Sequence, residues 1–151
     1  MKNNGDLQKF IDENKINAEI IDVPNTRTAS LASAVLGIDR NIVAKSIVFV
    51  TANRKPVIAI VRGPDKVDHA KLKAAAGETC NTASPLQVLE HTGYKAGGVP
   101  PISSGVETYI DKKVIELDVC YAGGGTDNHL IRISPKDILK YSKGKVADIS
   151  E

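Results

Sequence analysis

Tryptophan is absent from the chain, and only two phenylalanines and four tyrosines occur among its 151 residues. A core built from such a sequence must be aliphatic, with Val, Ile, Leu and Ala carrying the burial. Cysteine is scarcer still. Cys80 and Cys120 lie far apart and form no CxxC pair, which excludes a disulfide framework and a zinc finger. Free thiols suit a reducing compartment, so a cytoplasmic location is expected. No apolar run approaches the roughly 18 residues of a membrane-spanning helix, and the polar start Met-Lys-Asn-Asn-Gly-Asp does not resemble a secretory leader. The chain therefore reads as soluble and unsecreted, with no membrane partner. A large charge of either sign is also missing. The net charge of +2 is too small for a dedicated nucleic-acid coat, yet compatible with a phosphate-bearing ligand.

The signatures of several enzyme classes are lacking as well. There is no GxSxG elbow, and Ser46 has no flanking glycines. Neither a P-loop nor a dinucleotide fingerprint occurs: residues 123–126, Gly-Gly-Gly-Thr, fall between two predicted strands and open no helix. His69, His91 and His129 are widely separated and lack metal-ligand spacing. No cofactor and no metal is expected.

What is present is an alternation of short strands and single helices in one domain, residues 1–151. Helices are predicted over residues 6–15, with Asn4 or Asp6 as cap, and over residues 30–36, with Ser30 as cap, Leu31, Ala34 and Val35 facing inward and Gly37 as stop. Further helices follow the caps Asp68, Ser84 and Ser134, the last two with proline at the first helical position. Strands are predicted over residues 18–23, 42–50, 56–62, 79–82, 108–111, 114–122 and 129–134, with an edge strand over residues 145–149. Residues 24–25 close the first strand and residues 26–28 form a polar loop. This pattern favours an α+β fold with a mixed, mostly antiparallel sheet.

Two features stand apart from that scaffold. Residues 93–101, Gly-Tyr-Lys-Ala-Gly-Gly-Val-Pro-Pro, can be neither helix nor strand interior, because glycine admits positive φ while proline fixes φ and restricts its predecessor. Such a stiff loop with bare amides is either a plain surface turn or a cradle for a carbonyl oxygen or phosphate. Lys45 interrupts an apolar strand between Ala44 and Ser46, either as an edge residue with a snorkelling stem or as a cation held at a site.

Taken together, these segments resemble the YbaK/prolyl-tRNA synthetase-associated editing domains, and the likeness runs over the whole chain. Residues 42–49, Ile-Val-Ala-Lys-Ser-Ile-Val-Phe, are similar to that family's lysine-bearing strand. Residues 92–101 are similar to its glycine loop, with Gly97-Gly-Val-Pro-Pro fitting a GxxxP pattern. Residues 109–111 and 123–129 match the later strand-aspartate and glycine-turn segments more loosely.

The resemblance implies a sheet curled into a partly open barrel with flanking helices, and hydrolysis of the ester joining a small wrong amino acid, such as alanine or cysteine, to proline tRNA. It also implies that Lys45, Gly97, Gly98 and Val99 carry the catalysis. Thr28, Pro101, Asp111, Gly124, Gly125 and His129 would contact substrate, which is the 3′ end of aminoacyl-tRNA. Prolyl-tRNA synthetase is a prospective partner, and the oligomeric state is left open. A non-catalytic module that binds aminoacyl-tRNA or a synthetase would keep the same fold. If the amides of residues 97–99 face the ester, Gly98→Ala is expected to slow deacylation at least about a hundredfold with little change in Tm.

Overall fold

The structure, a computed structural model, describes residues 1–24 and 28–151. Every α-helix among these residues starts at a side-chain cap. Helix α1 (Asn4–Asn14) is capped by Asn3, whose side chain accepts from Gly5 while Asp6 reaches back to the Asn3 amide. The cap therefore lies one residue before the earlier of the two expected. Helices α3 (His69–Ala76), α4 (Pro85–Thr92) and α6 (Pro135–Ser142) begin at Asp68, Ser84 and Ser134, as their sequences indicate. Gly77 and Gly93 end α3 and α4 at φ 84° and 81°, a left-handed cap that glycine adopts without Cβ strain.

Two sequence expectations are corrected. Helix α2 (Ala29–Leu36) is capped by Thr28 rather than Ser30, and Leu31, Ala34 and Val35 point outward. The inward stripe is Ala29, Ala32 and Leu36, which packs on Val23, Val43 and Leu130. Small residues win this face because they allow close approach to the strands, whereas hydrophobicity alone favoured the opposite one. Residues 114–122 are not one strand. Asp111 caps a short helix, α5 (Lys112–Ile115), which buries Val114, and β6 (Cys120–Gly123) starts only afterwards. Of the turn and loop expected over residues 24–28, residues 25–27, and with them Thr26 and Arg27, lie outside the described residues.

The strands form two sheets. β1 (Glu19–Asp22), β7 (His129–Ile133) and β6 make an antiparallel sheet in the order β1-β7-β6. β2 (Ala44–Thr51), β3 (Pro56–Arg62), β4 (Cys80–Thr82), β5 (Glu107–Asp111) and β8 (Lys145–Ala147) form a mixed sheet in the order β4-β2-β3-β5-β8. Pairing is antiparallel from β4 to β3 and parallel from β3 to β8. Among the described residues a single bridge, between Val43 and Tyr121, links the two sheets, which do not close, so the barrel is partly open. Central β3 explains its own apolar run. Ile58 and Ile60 face one core cluster while Val57, Ala59 and Val61 face another, so both sides of the strand are buried.

Asp111 ties the last segment to this framework. Its carboxylate is fully buried; Oδ1 accepts from the amides of Ile149 and Ser150 at 3.0 and 3.1 Å, and Oδ2 from Ser150 Oγ at 3.1 Å. The same Oδ2 accepts from the Lys113 amide at 3.2 Å, starting α5. Removing the carboxylate leaves buried amides without an acceptor. Asp111→Ala should cost about 3 kcal/mol or more, and Asp111→Asn distinctly less, because its carbonyl oxygen still accepts. Denaturant unfolding of the two variants checks this ordering.

Candidate active site

Strand register creates the site. Gly63 donates to the Val43 carbonyl and Ala83 donates to the Val48 carbonyl, so odd-numbered residues of β2 turn their backbone groups toward β3 and even-numbered ones away from it. β4 pairs only with residues 49–51. On that side β6 reaches β2 through the Val43–Tyr121 bridge, and between this bridge and β4 no strand pairs with the backbone of Ser46 among the described residues.

A cavity of ≈ 90 Å³ lies along that side. Ala44, Lys45 and Ser46 form one side, Thr28, Ala29 and Ala32 of α2 another, and Gly97 and Val99 of the glycine loop a third. Ala122 and Gly123 from the end of β6, with Leu130 of β7, complete it. The space corresponds to roughly three water molecules.

Lys45 is the cation at this cavity. Its ammonium has no hydrogen bond or ion pair among the described residues, and burial lowers its pKa from the ordinary 10.5. Asp65 pulls the other way, and Arg40 and Lys66 add to the depression. Asp65 does not neutralise the lysine, because Arg62 Nε holds it at 2.8 Å and keeps its carboxyl below the usual range. The lysine therefore keeps a charge with no direct carboxylate contact among the described residues.

The loop presents its amides selectively. Gly98 is buried; its N–H donates to the Lys95 carbonyl and its own carbonyl accepts from Gly125, both at 2.9 Å. Gly97, at φ 93°, is exposed, and the amides of Gly97 and Val99 have no acceptor among the described residues. Two free donors beside a cation on so small a cavity can hold a carbonyl oxygen or its oxyanion.

The expected residues thus divide. Thr28, Lys45, Gly97 and Val99 share one cavity. Gly98, Gly124 and Gly125 stand behind it: a Cβ on Gly124 would lie 2.5 Å from the His129 carbonyl carbon, and one on Gly125, at φ 101°, 2.7 Å from the Asn4 nitrogen. Their role in the structure is close packing of backbone, not contact with the cavity. Pro101 lines a separate groove of ≈ 570 Å³ with Phe10 and Tyr141, and Asp111 is the buried clamp described above. His129 alternates with Leu130 on β7 and points away from the cavity. Its Nε2 is 2.9 Å from Asp22 Oδ1 and its Nδ1 2.5 Å from Thr126 Oγ1.

Residues that sequence reasoning missed are Ser46, Gly123, Ala29 and Ala32. A polar residue in register with Ala44 and Val48 on an inward face was a usable signal for Ser46. For Gly123 there was none, since its need arises from the Val99 carbonyl that would touch any Cβ there. Cys80 and Cys120 are both buried, and burial pushes the Cys120 thiol up to about 12, so neither is a ready thiolate. No cluster of metal-ligating side chains occurs among the described residues.

Comparison with known proteins follows the same region of the chain. A family model described as the aminoacyl-tRNA editing domain matches residues 23–141. The uncharacterised protein YwhH of Bacillus subtilis (strain 168) is 27% identical over 124 residues, 81% of this chain and 79% of that one. A candidate Cys-tRNA(Pro)/Cys-tRNA(Cys) deacylase of Enterococcus faecalis (strain ATCC 700802 / V583), EbsC, is 29% identical over 82% of this chain and 77% of its own length. Proline–tRNA ligase of Streptococcus sanguinis (strain SK36) is 30% identical over 76% of this chain, but the match spans only 19% of the ligase. Among solved structures, a candidate trans-editing enzyme for prolyl tRNA synthetase superposes with a TM-score of 0.90 at 29% identity, covering 98% of this chain and 96% of that one.

The glycine packing revises the expectation for Gly98→Ala. An added Cβ would lie 2.8 Å from both the nitrogen and the Cα of Thr126, in backbone that cannot swing aside. The variant should lose about 1–3 kcal/mol and melt several degrees lower, roughly 2–4 °C per kcal/mol for a domain of this size. A thermal melt at the wild-type midpoint would return the methyl to the cavity side.

Proposed function

The chain belongs to the aminoacyl-tRNA editing domain family, and from that membership we propose that it is a deacylase acting in trans on mischarged tRNA, with a small amino acid such as alanine or cysteine on proline tRNA as substrate. The observation that carries the proposal is the pairing of free Gly97 and Val99 amides with an unneutralised Lys45 on one small cavity.

The chemistry follows from the ester. An aminoacyl ester is already activated, so hydrolysis needs a held carbonyl, a stabilised oxyanion and a water, without a protein nucleophile. Water oxygen bonds to the carbonyl carbon, the ester C–O bond breaks, and the leaving ribose oxygen takes up a proton. The Gly97 and Val99 amides receive the negative charge as it forms on the carbonyl oxygen. Lys45 holds the terminal phosphate or the sugar end, which fixes the ester against those donors. Thr28 closes the cavity from α2, and its hydroxyl also accepts from the Leu31 amide at 3.1 Å. His129 lines a separate cleft with Asp22, Val23 and Pro24, so any contact with substrate would lie away from the ester.

Recruitment of the tRNA body falls to another protein. Non-specific attraction grows with the number of phosphates neutralised, and a net charge of +2 supplies little of it. Prolyl-tRNA synthetase is the partner this reading selects, and the likeness to a trans-editing enzyme for that synthetase supports it.

Turnover of mischarged proline tRNA at catalytic protein concentration, releasing free amino acid and intact tRNA, is the direct test; stoichiometric binding without turnover would leave a non-catalytic module. Lys45→Ala should fold normally and lose at least about tenfold in kcat/KM, the scale of one charge-assisted contact. Because the protonated lysine is the active form and its pKa is lowered, activity should decline with rising pH before 10.5 is reached. The Lys45→Ala profile should lack that decline. Chelators, and the double change Cys80→Ser with Cys120→Ser, should leave most of the rate, and its loss in a folded double variant would restore a thiol mechanism.

A further inference from the structure

The groove of ≈ 570 Å³ lies between α1, residues 101–108 and the end of α6, apart from the cavity at Lys45. Its floor is apolar: Pro101, Ile102 and Val106 are buried there, and the rings of Phe10 and Tyr141 stand half-buried in its wall. Lys140 and Lys143 line it too, both exposed and neither ion-paired among the described residues. The Lys140 ammonium lies 5.1 Å from the Tyr141 ring centroid. Glu107 shares a face of β5 with Tyr109 and hydrogen-bonds to it, so it does not offset the two lysines.

Hydrogen-bond donors collect along the same groove. The amides of Ser103, Ser104 and Gly105 have no acceptor among the described residues. Ser103 and Gly105 are left-handed, at φ 77° and 73°, on either side of a Ser104 that is not. Alternation of this kind turns successive N–H groups to one side and makes a concavity for an anion. The Tyr94 hydroxyl, 3.0 Å from Ser103 Oγ, holds the strained serine in place. Ser104 Oγ and Ser142 Oγ accept from the Val106 and Gly144 amides at 3.4 and 3.1 Å, so both hydroxyl protons stay available to donate.

We propose that this groove binds one nucleoside monophosphate, its base against Phe10 and Tyr141 and its phosphate on the 103–105 amides and the two lysines. The proposal goes beyond the deacylase reading and does not rest on it. Aromatic faces accept a base by stacking, and a phosphate dianion takes charge-assisted bonds from amides and ammonium groups together. The volume suits one small ligand. A longer strand is disfavoured, because α1 exposes Asp12 and Glu13 beside Asn14 of the groove and these would face its further phosphates. Lysines in the last turn of α6 also favour the helix dipole, but that role alone would leave ligand affinity independent of their charge.

Calorimetry on the full chain with adenosine 5′-monophosphate, adenosine, inorganic phosphate and a short oligoadenylate tests this. The monophosphate should bind with a Kd of about 1 mM or tighter, and adenosine and phosphate each at least about tenfold more weakly. Lys140→Gln combined with Lys143→Gln should bring the monophosphate to the level of adenosine, while Tyr141→Leu should weaken both about fivefold or more. Both lysines are exposed, so the paired variant keeps its fold and decides the matter even where Tyr141→Leu does not. Lys45→Ala should leave this binding unchanged; its loss there would place the nucleotide at the other cavity and overturn the proposal. An unchanged affinity in the lysine pair, a monophosphate bound no more tightly than adenosine or phosphate, or an oligoadenylate bound at least about tenfold more tightly than the monophosphate would overturn it as well.

Discussion

Close backbone contact between the glycine loop and the triple-glycine turn is the constraint on which the rest of the site depends. Gly98 lies against Gly125 and Thr126, its carbonyl receives the Gly125 amide, and Gly123 sits under the Val99 carbonyl. No side chain fits between these segments. The consequence is positional: with Gly98 tied on both sides, its neighbours Gly97 and Val99 are held with their amides unsatisfied, and Pro100 prevents the chain from relaxing. Donors fixed in this way need no reorganisation when charge develops, which is where electrostatic stabilisation of a transition state gains its advantage.

The second constraint is electrical. Lys45 sits at a strand edge where burial disfavours its charge, and Asp65, the carboxylate that favours it, is already committed to Arg62. An ordinary fold would pair or expose such a lysine. Here the Arg62–Asp65 pair limits neutralisation, so the partly buried lysine keeps its charge without a direct carboxylate contact among the described residues. Under the proposed function, that charge is what receives the substrate's anionic end.

Legibility of these features in the sequence follows how local their causes are. Caps such as Asp68, Ser84-Pro85 and Ser134-Pro135 act within one helical turn and are read directly. The buried face of α2 is set by strands distant in sequence, so Ala32 rather than Leu31 goes inside for reasons the helix itself does not contain. Lys45 is visible because a charge in an apolar strand is anomalous, while Ser46 carries a weaker signal of the same kind, a polar residue in register with Ala44 and Val48. Asp111 shows the limit from the other side. A carboxylate at the end of a strand looks the same in sequence whether it binds substrate or receives the amides of Ile149 and Ser150, and only tertiary structure separates the two.

The size of the cavity and the chemistry of its wall then bear on why an editing site is needed at all. A synthetase pocket shaped for a larger amino acid rejects smaller ones weakly, since a missing methylene is worth only about 1–3 kcal/mol. A second site can select in the opposite sense by admitting only what is small. Under the proposed function, the alanine-rich wall of α2, β2 and β6 would perform that exclusion, because a larger residue at Ala29, Ala32 or Ala122 would fill a space of only ≈ 90 Å³. Exclusion sets an upper bound and cannot rank the side chains below it.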